Sequence, residues 1–161
     1  MKKIYIISLV ISVLLSCNIQ KYDNQMPTDF SFRINNETDS YDSKTGVFTR
    51  KYVGKDSTVN ILLTKDEMIL IYEVFKKKDF MSFPNEFECD KNGGGTLPAF
   101  DTTIEIIYNG KHKSVTNTTY CDKKIEQKKS DKFNEFESEI MKIIKNKPEI
   151  KRMRNCDMIF M

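Results

Sequence analysis

Asn109-Gly110 divides two runs of strand-forming residues, 102–109 and 111–118, and it constrains the fold more than any other pair in the chain. Asn and Gly both tolerate positive φ, and a two-residue turn of that kind matches the twist of the strands it joins. The runs therefore form an antiparallel hairpin. With a two-residue turn, Ile104, Ile106 and Tyr108 share a face with Lys111, Lys113 and Val115. The second strand is polar and is expected at a sheet edge.

An antiparallel sheet needs further strands and a cover for its apolar face. Phe30, Phe32 and Ile34 alternate with Ser31, Arg33 and Asn35, which reads as a strand with one buried face. Residues 36–44 (NETDSYDSK) are rich in turn formers and read as a connection. Residues 45–53 read as a second strand, Gly54-Lys55-Asp56 as a turn, and Val59, Ile61 and Leu63 as a third strand. Thr64-Lys65-Asp66-Glu67 then matches a capping box, with Leu63 and Met68 at the staple positions. The helix it opens carries Ile69 to Tyr72 in succession, a pattern expected to be buried over a wide arc, and ends on Lys76-Lys77-Lys78, which complements the helix dipole.

Residues 80–100 form a long irregular connection whose four Phe are expected to pack on the body of the domain. After a charged loop at 119–130, Ser130 is expected to cap a helix with its apolar stripe at Phe133, Phe136, Ile140, Ile143 and Ile144, and Pro148 to mark the end of that helix. The apolar tail Met158 to Met161 is expected to pack on the sheet or pair at its edge. The expected architecture is α+β: an antiparallel sheet of about five strands in the order β-β-β-α-β-β-α, with two helices packed on one face, all within a single domain spanning 28–161.

The start of the chain has a different composition. Met1-Lys2-Lys3 is positive, Ile4 to Leu15 is largely apolar, and Asn18, Gln20, Lys21 and Asp23 follow closely. This is the layout of a secretory signal. The apolar run is too short for a membrane-spanning helix, which needs roughly 20 apolar residues. Leu14-Leu15-Ser16-Cys17 resembles the lipobox of bacterial lipoproteins. The resemblance implies cleavage after Ser16, a lipid on the sulfur of Cys17 and acylation of the new amino group. Leu15 is larger than the commonest residue at its position. Two or more acyl chains hold a protein on a bilayer where one does so only marginally. Asn18 stands where Asp is associated with inner-membrane retention, so the resemblance points to the outer membrane. Residues 17–27 then read as the lipidated Cys and a flexible polar tether.

Charge and composition exclude some functions. Removing residues 1–16 takes away Lys2 and Lys3 and brings a net charge of +3 close to neutral, so the electrostatic footprint of a nucleic-acid binder is missing. The basic residues are nearly all Lys, whereas phosphate and base recognition favour the Arg fork. Beyond Cys17 there are Cys89, Cys121 and Cys156. Outside the reducing cytosol a disulfide can persist. Three thiols allow three single pairings. The expected one is Cys89–Cys121, because both lie in polar loops flanking the same hairpin; the alternative is that all three are reduced.

Motifs for chemistry are sparse. His112 is the only histidine, which excludes zinc sites needing two or three imidazoles, and no Cys-x-x-Cys is present. No metal site or cofactor is expected. Asn92-Gly93-Gly94-Gly95-Thr96 lacks the Gly-Lys-Ser/Thr ending of a phosphate-binding loop and reads as flexible. A Cys–His pairing of Cys89 or Cys121 with His112 is one conceivable nucleophile, and Asp101 with Glu105 one conceivable acid–base pair. Both compete with plain surface roles, and no catalytic residue is assigned. Asn36-Glu37-Thr38 and Asn117-Thr118-Thr119 match glycosylation sequons, which lose meaning in a bacterial chain.

Taken with the run Ser40 to Gly46, Leu62-x-Thr64-x-x-Glu67 and Phe80-x-x-Phe83-Pro84, the chain resembles small uncharacterised envelope lipoproteins of Gram-negative bacteria. The resemblance covers most of the mature chain and rests on structural motifs, so it implies a location and no activity. The expected function is a lipid-anchored envelope protein, a non-catalytic binding or structural module with an envelope protein as partner. An inhibitor or immunity-type protein is one form of it. The competing class is an anchored hydrolase using Asp101, Glu105 or His112 near the 80–100 loop. An enzyme needs a concave pocket with converging polar groups, whereas a binding module can present an exposed apolar patch.

Overall fold

The computed structural model describes residues 25–158. The signal segment 1–16, Cys17, the tether as far as Asn24 and the tail residues Ile159 to Met161 lie outside the described residues.

The fold is α+β, with a six-stranded antiparallel sheet and two main helices. The strands are β1 (Ser31–Asn35), β2 (Asp39–Asp42), β3 (Val47–Arg50), β4 (Ser57–Asn60), β5 (Asp101–Tyr108) and β6 (Lys111–Thr118). Their order across the sheet is β4-β3-β2-β1-β5-β6. The hairpin follows the expected register: Ile104 faces Val115, Ile106 faces Lys113 and Tyr108 faces Lys111. Asn109 and Gly110 both have positive φ, at 49° and 70°, and β6 is an edge strand.

One strand went unread in the sequence. Residues 39–42 form β2 inside the stretch expected to be a connection. Tyr41 faces Ile34 and Phe48 and is fully buried, and its hydroxyl donates to the Ile61 carbonyl at 3.2 Å. The true turn is shorter and lies at 43–46, where Asp42 Oδ1 accepts from the Lys44 and Thr45 backbone N–H groups. Gly46 closes this turn with φ 70°; a Cβ there would sit 2.7 Å from the Ile61 carbonyl oxygen.

Helix α1 (Lys65–Lys78) opens on the expected capping box. Thr64 Oγ1 accepts from the Glu67 N–H at 3.2 Å, and Glu67 Oε2 accepts from the Thr64 N–H at 2.7 Å. The helix buries Ile71, Tyr72, Phe75 and Lys78 but leaves Leu70 exposed, so its buried arc is narrower than the run of apolar residues implies. Helix α2 (Gln127–Lys145) begins earlier than expected. Ser130 lies within it, buried, and does not cap it. Phe133, Phe136, Ile140 and Ile144 form its buried stripe. Pro148 does not merely follow the helix; it starts a short turn of helix, α3 (Pro148–Lys151).

Both main helices pack on the face bearing Ile34, Tyr41, Phe48, Ile104, Ile106 and Val115. Phe80, Phe83 and Phe87 of the long connection fill the space between that face and α2, with Phe80 and Phe136 ring centres 5.3 Å apart and Phe87 and Phe133 5.7 Å apart. The same connection covers part of the β6 edge: the Phe87 N–H donates to the Thr116 carbonyl, and the Thr116 N–H to the Asn85 carbonyl. Among the described residues, no helix packs on the other sheet face. At the end of the chain, the Val53 N–H donates to Asp157 Oδ1 and the Tyr52 hydroxyl to the Arg154 carbonyl, so residues 154–157 lie alongside the segment after β3.

The chain enters the sheet at the Asn109-Gly110 end. Asp29 accepts from the Asn109 and Gly110 N–H groups at 3.1 and 2.6 Å, and those bonds hold its carboxyl below the ordinary range. Cys121 follows the opposite end of β6.

Candidate functional site

Two of the residues named for catalysis come together, on the bare face of the sheet. Arg33 of β1 stands between Asp42 of β2, at 2.8 Å, and Glu105 of β5, at 3.7 Å; His112 Nε2 lies 3.7 Å from the same Glu105 oxygen. The four side chains make a row across neighbouring strands. Burial raises the Asp42 pKa, but the Arg33 guanidinium and the backbone N–H groups of Lys44 and Thr45 outweigh it and bring it below its usual value. Arg33 and His112 are more than half exposed, so the row lies open to water and its ion pairs carry little energy. Asp101 opens β5 opposite Thr118, at the far end of that strand from Tyr108 and the turn. The conceivable acid–base pair of Asp101 with Glu105 is thus not assembled.

The cysteines settle a second candidate. Cys89 and Cys121 are joined in a disulfide, with Cα atoms 5.8 Å apart. Neither thiol is free to pair with His112. Cys156 is reduced, and its Sγ lies 3.3 Å from the Lys51 carbonyl oxygen.

The disulfide pins the glycine-rich part of the long connection, which is not the free loop its composition implies. Gly95 bridges to Cys121, the Asp122 N–H donates to the Gly94 carbonyl, and Thr96 Oγ1 donates to Asp122 Oδ1 at 2.8 Å. Phe100 and Thr119 exchange two bonds: the Thr119 N–H to the Phe100 carbonyl, and the Phe100 N–H to Thr119 Oγ1. Asp90 pairs with Lys123 at 3.0 Å. The loop so fixed exposes Leu97 (78%) and Tyr120 (48%), two large apolar side chains at the end of the sheet away from the point where the chain enters.

Behind the loop is a polar cavity of about 260 Å³ between the end of β6, residues 119–124 and the first turns of α2. Asn117 occupies an inward position on β6, on the same face as Val115. Its Nδ2 donates to Ser130 Oγ at 3.0 Å and to Asn134 Oδ1 at 2.8 Å. Lys124 is 4% exposed, and its ammonium donates to the Thr118 carbonyl at 2.7 Å. Burial pushes the Lys124 pKa down, while Asp101 and Glu86 pull it back up. Among the described residues no carboxylate lies within ion-pair distance of it.

The sequence points to the 80–100 connection with Asp101, Glu105 and His112, whereas the cavity is lined by the ends of β5 and β6, the 119–124 segment and the first turns of α2. Asn117 was legible, because the hairpin register puts it on the inward face where an amide needs partners. Lys124 was not, because it stands in a lysine-rich loop with nothing local to mark it. Both sequon asparagines, Asn36 and Asn117, are buried and hydrogen-bonded, which closes them to glycan attachment.

Among the described residues, no group of three or more His, Cys, Asp or Glu side chains is placed to hold a metal ion, and no helix is long and apolar enough to cross a membrane. No protein-family model and no curated protein matches the chain.

Proposed function

We propose that the chain is a lipid-anchored protein of the bacterial cell envelope, held on the outer membrane through Cys17, and that it works as a non-catalytic binding module for an envelope protein. The observation that carries the binding half of this reading is the pinned loop. A disulfide and a set of backbone bonds hold Leu97 and Tyr120 in water, on a loop whose ordering cost has already been met before a partner arrives. Exposed apolar side chains on a rigid support suit a protein contact. The hydrolase reading receives no comparable support, because Glu105 and His112 lie on an open face and Asp101 stands apart from them.

The anchor half rests on the lipobox-like Leu14-Leu15-Ser16-Cys17. Its test is fractionation of Cys17→Ser together with intact mass of the mature protein. The expected result is loss of membrane association and, in the wild type, the added mass of acyl chains. A Cys17→Ser protein still on membranes, with no acyl mass in the wild type, rejects the anchor. The binding half is tested by cross-linking in cells from positions 97 and 120. One dominant protein recovered in near-equal amount supports it, and recovery of abundant envelope proteins alone rejects it.

A further inference from the structure

The polar cavity holds two unsatisfied needs of opposite kind. Asn117 is 7% exposed, and its Oδ1 has no hydrogen-bond partner. A buried acceptor left in that state is destabilising, and native structures seldom keep one without a reason. Lys124 brings a buried ammonium to the same cavity with three N–H groups, and its hydrogen bond among the described residues is to the Thr118 carbonyl. One group calls for a donor and the other for acceptors.

From this we infer that the cavity is a binding site for a neutral polyhydroxyl ligand, a single sugar ring. A hydroxyl donates and accepts at once, so neighbouring hydroxyls of one ring can meet both needs. An apolar ligand leaves both unmet. An acceptor-only anion such as a carboxylate meets Lys124 only, and any anion would lie beside Asp122, which lines the cavity, and in the field of Asp101 and Glu86, which already act on Lys124. The hydroxyls of Thr118, Thr119 and Ser130 can donate or accept, and the amide of Asn134 offers one acceptor oxygen and an NH2 donor. The volume, about 260 Å³, falls just under the roughly 300–1,000 Å³ of sites for drug-sized molecules, which sets the limit at one ring. The site goes beyond the protein-partner reading and does not depend on it.

The test is an NMR titration of the oxidised protein with free neutral hexoses and N-acetylhexosamines, with inorganic phosphate and acetate as anionic controls, alongside binding to immobilised glycans. Saturable shifts confined to Asn117, Lys124, Ser130 and Asn134 are expected with sugars and not with the anions. Lys124→Met is expected to weaken that binding about tenfold or more with the fold retained by circular dichroism. Asn134→Ala serves the same purpose if the lysine variant does not fold. Binding of the free sugar supports a monosaccharide ligand; binding of immobilised glycans alone supports recognition of a glycan end. Absence of saturable shifts with every sugar together with no binding to immobilised glycans, shifts located elsewhere, or a response to phosphate in preference overturns the assignment and leaves the cavity as a water-filled feature of the core. A sugar that binds while no protein partner is captured retires the partner reading and leaves this one standing.

Discussion

Asp39 shows how much one side chain can hold. It is almost completely buried at the start of β2, and Arg50 Nε donates to its Oδ1 at 2.8 Å while Lys145 Nζ reaches Oδ2 at 3.1 Å. Its backbone N–H donates to Asn36 Oδ1 at 2.8 Å. Arg50 in turn donates to the Arg154 carbonyl, so one carboxylate links β2, β3, α2 and the C-terminal segment. Removing one partner of a buried pair leaves the other charge without compensation. Asp39→Ala is expected to lose about 3–5 kcal/mol, read as a lower denaturation midpoint with an unchanged slope. The same residue explains why β2 was read as a turn. Asn, Asp and Ser signal turns through their local bonding, and here the bonds that matter come from residues 11 and more positions away. A sequence pattern can report its neighbours, but not a cation delivered by another strand and a helix.

At the scale of elements, the parts that were legible are those whose cause is local. The Asn109-Gly110 turn needs two residues able to take positive φ, and the α1 start needs a hydroxyl and a carboxylate three apart; both are found where the sequence put them. Helix α2 was misread at its start because Ser130 looks like a cap and is used instead as an acceptor for Asn117, a tertiary role. The α1 cap supports a quantitative expectation. Thr64→Ala should lose about 1 kcal/mol in chemical denaturation. Burial raises the Glu67 pKa, but Lys147, at 2.6 Å, and the Thr64 N–H outweigh it and hold the carboxyl below its ordinary value. A carboxyl lowered on folding contributes stability above its unfolded pKa and loses it as pH falls through the folded one. Thermal melts taken from neutral pH down through the carboxylate range should show that loss, and Glu67→Gln should flatten it. A Gln variant with the wild-type slope would remove Glu67 as the source.

For the molecule as a whole, the disulfide joins residues 32 apart. In the chain-entropy model that is worth about 3–4 kcal/mol. The paired variant Cys89→Ser with Cys121→Ser should lose stability on that scale, in denaturation compared with and without reductant; an equal midpoint for the variant and the oxidised wild type would contradict it. The core should persist, because Phe80, Phe83 and Phe87 are buried and lie outside the loop that the bridge closes. The pairing was one of three the cysteine count allowed, beside a fully reduced set, and only the hairpin whose flanking loops carry both residues was readable. The Gly93 to Gly95 run looked loose because glycine content reports freedom in the unfolded chain, whereas its order comes from bonds to Asp90, Cys121 and Asp122 and from the disulfide beside them.

The two ends of the β5–β6 hairpin also give the domain a polarity. The turn at Asn109-Gly110 sits where the polypeptide arrives through Asp29, and the pinned loop lies past the other end of the eight-residue strands. At ~3.3 Å per residue that separation is roughly 26 Å. Under the proposed anchor, the polypeptide would reach the domain at the turn end of the hairpin, and Leu97 and Tyr120 stand beyond its other end, about that distance from the point of attachment.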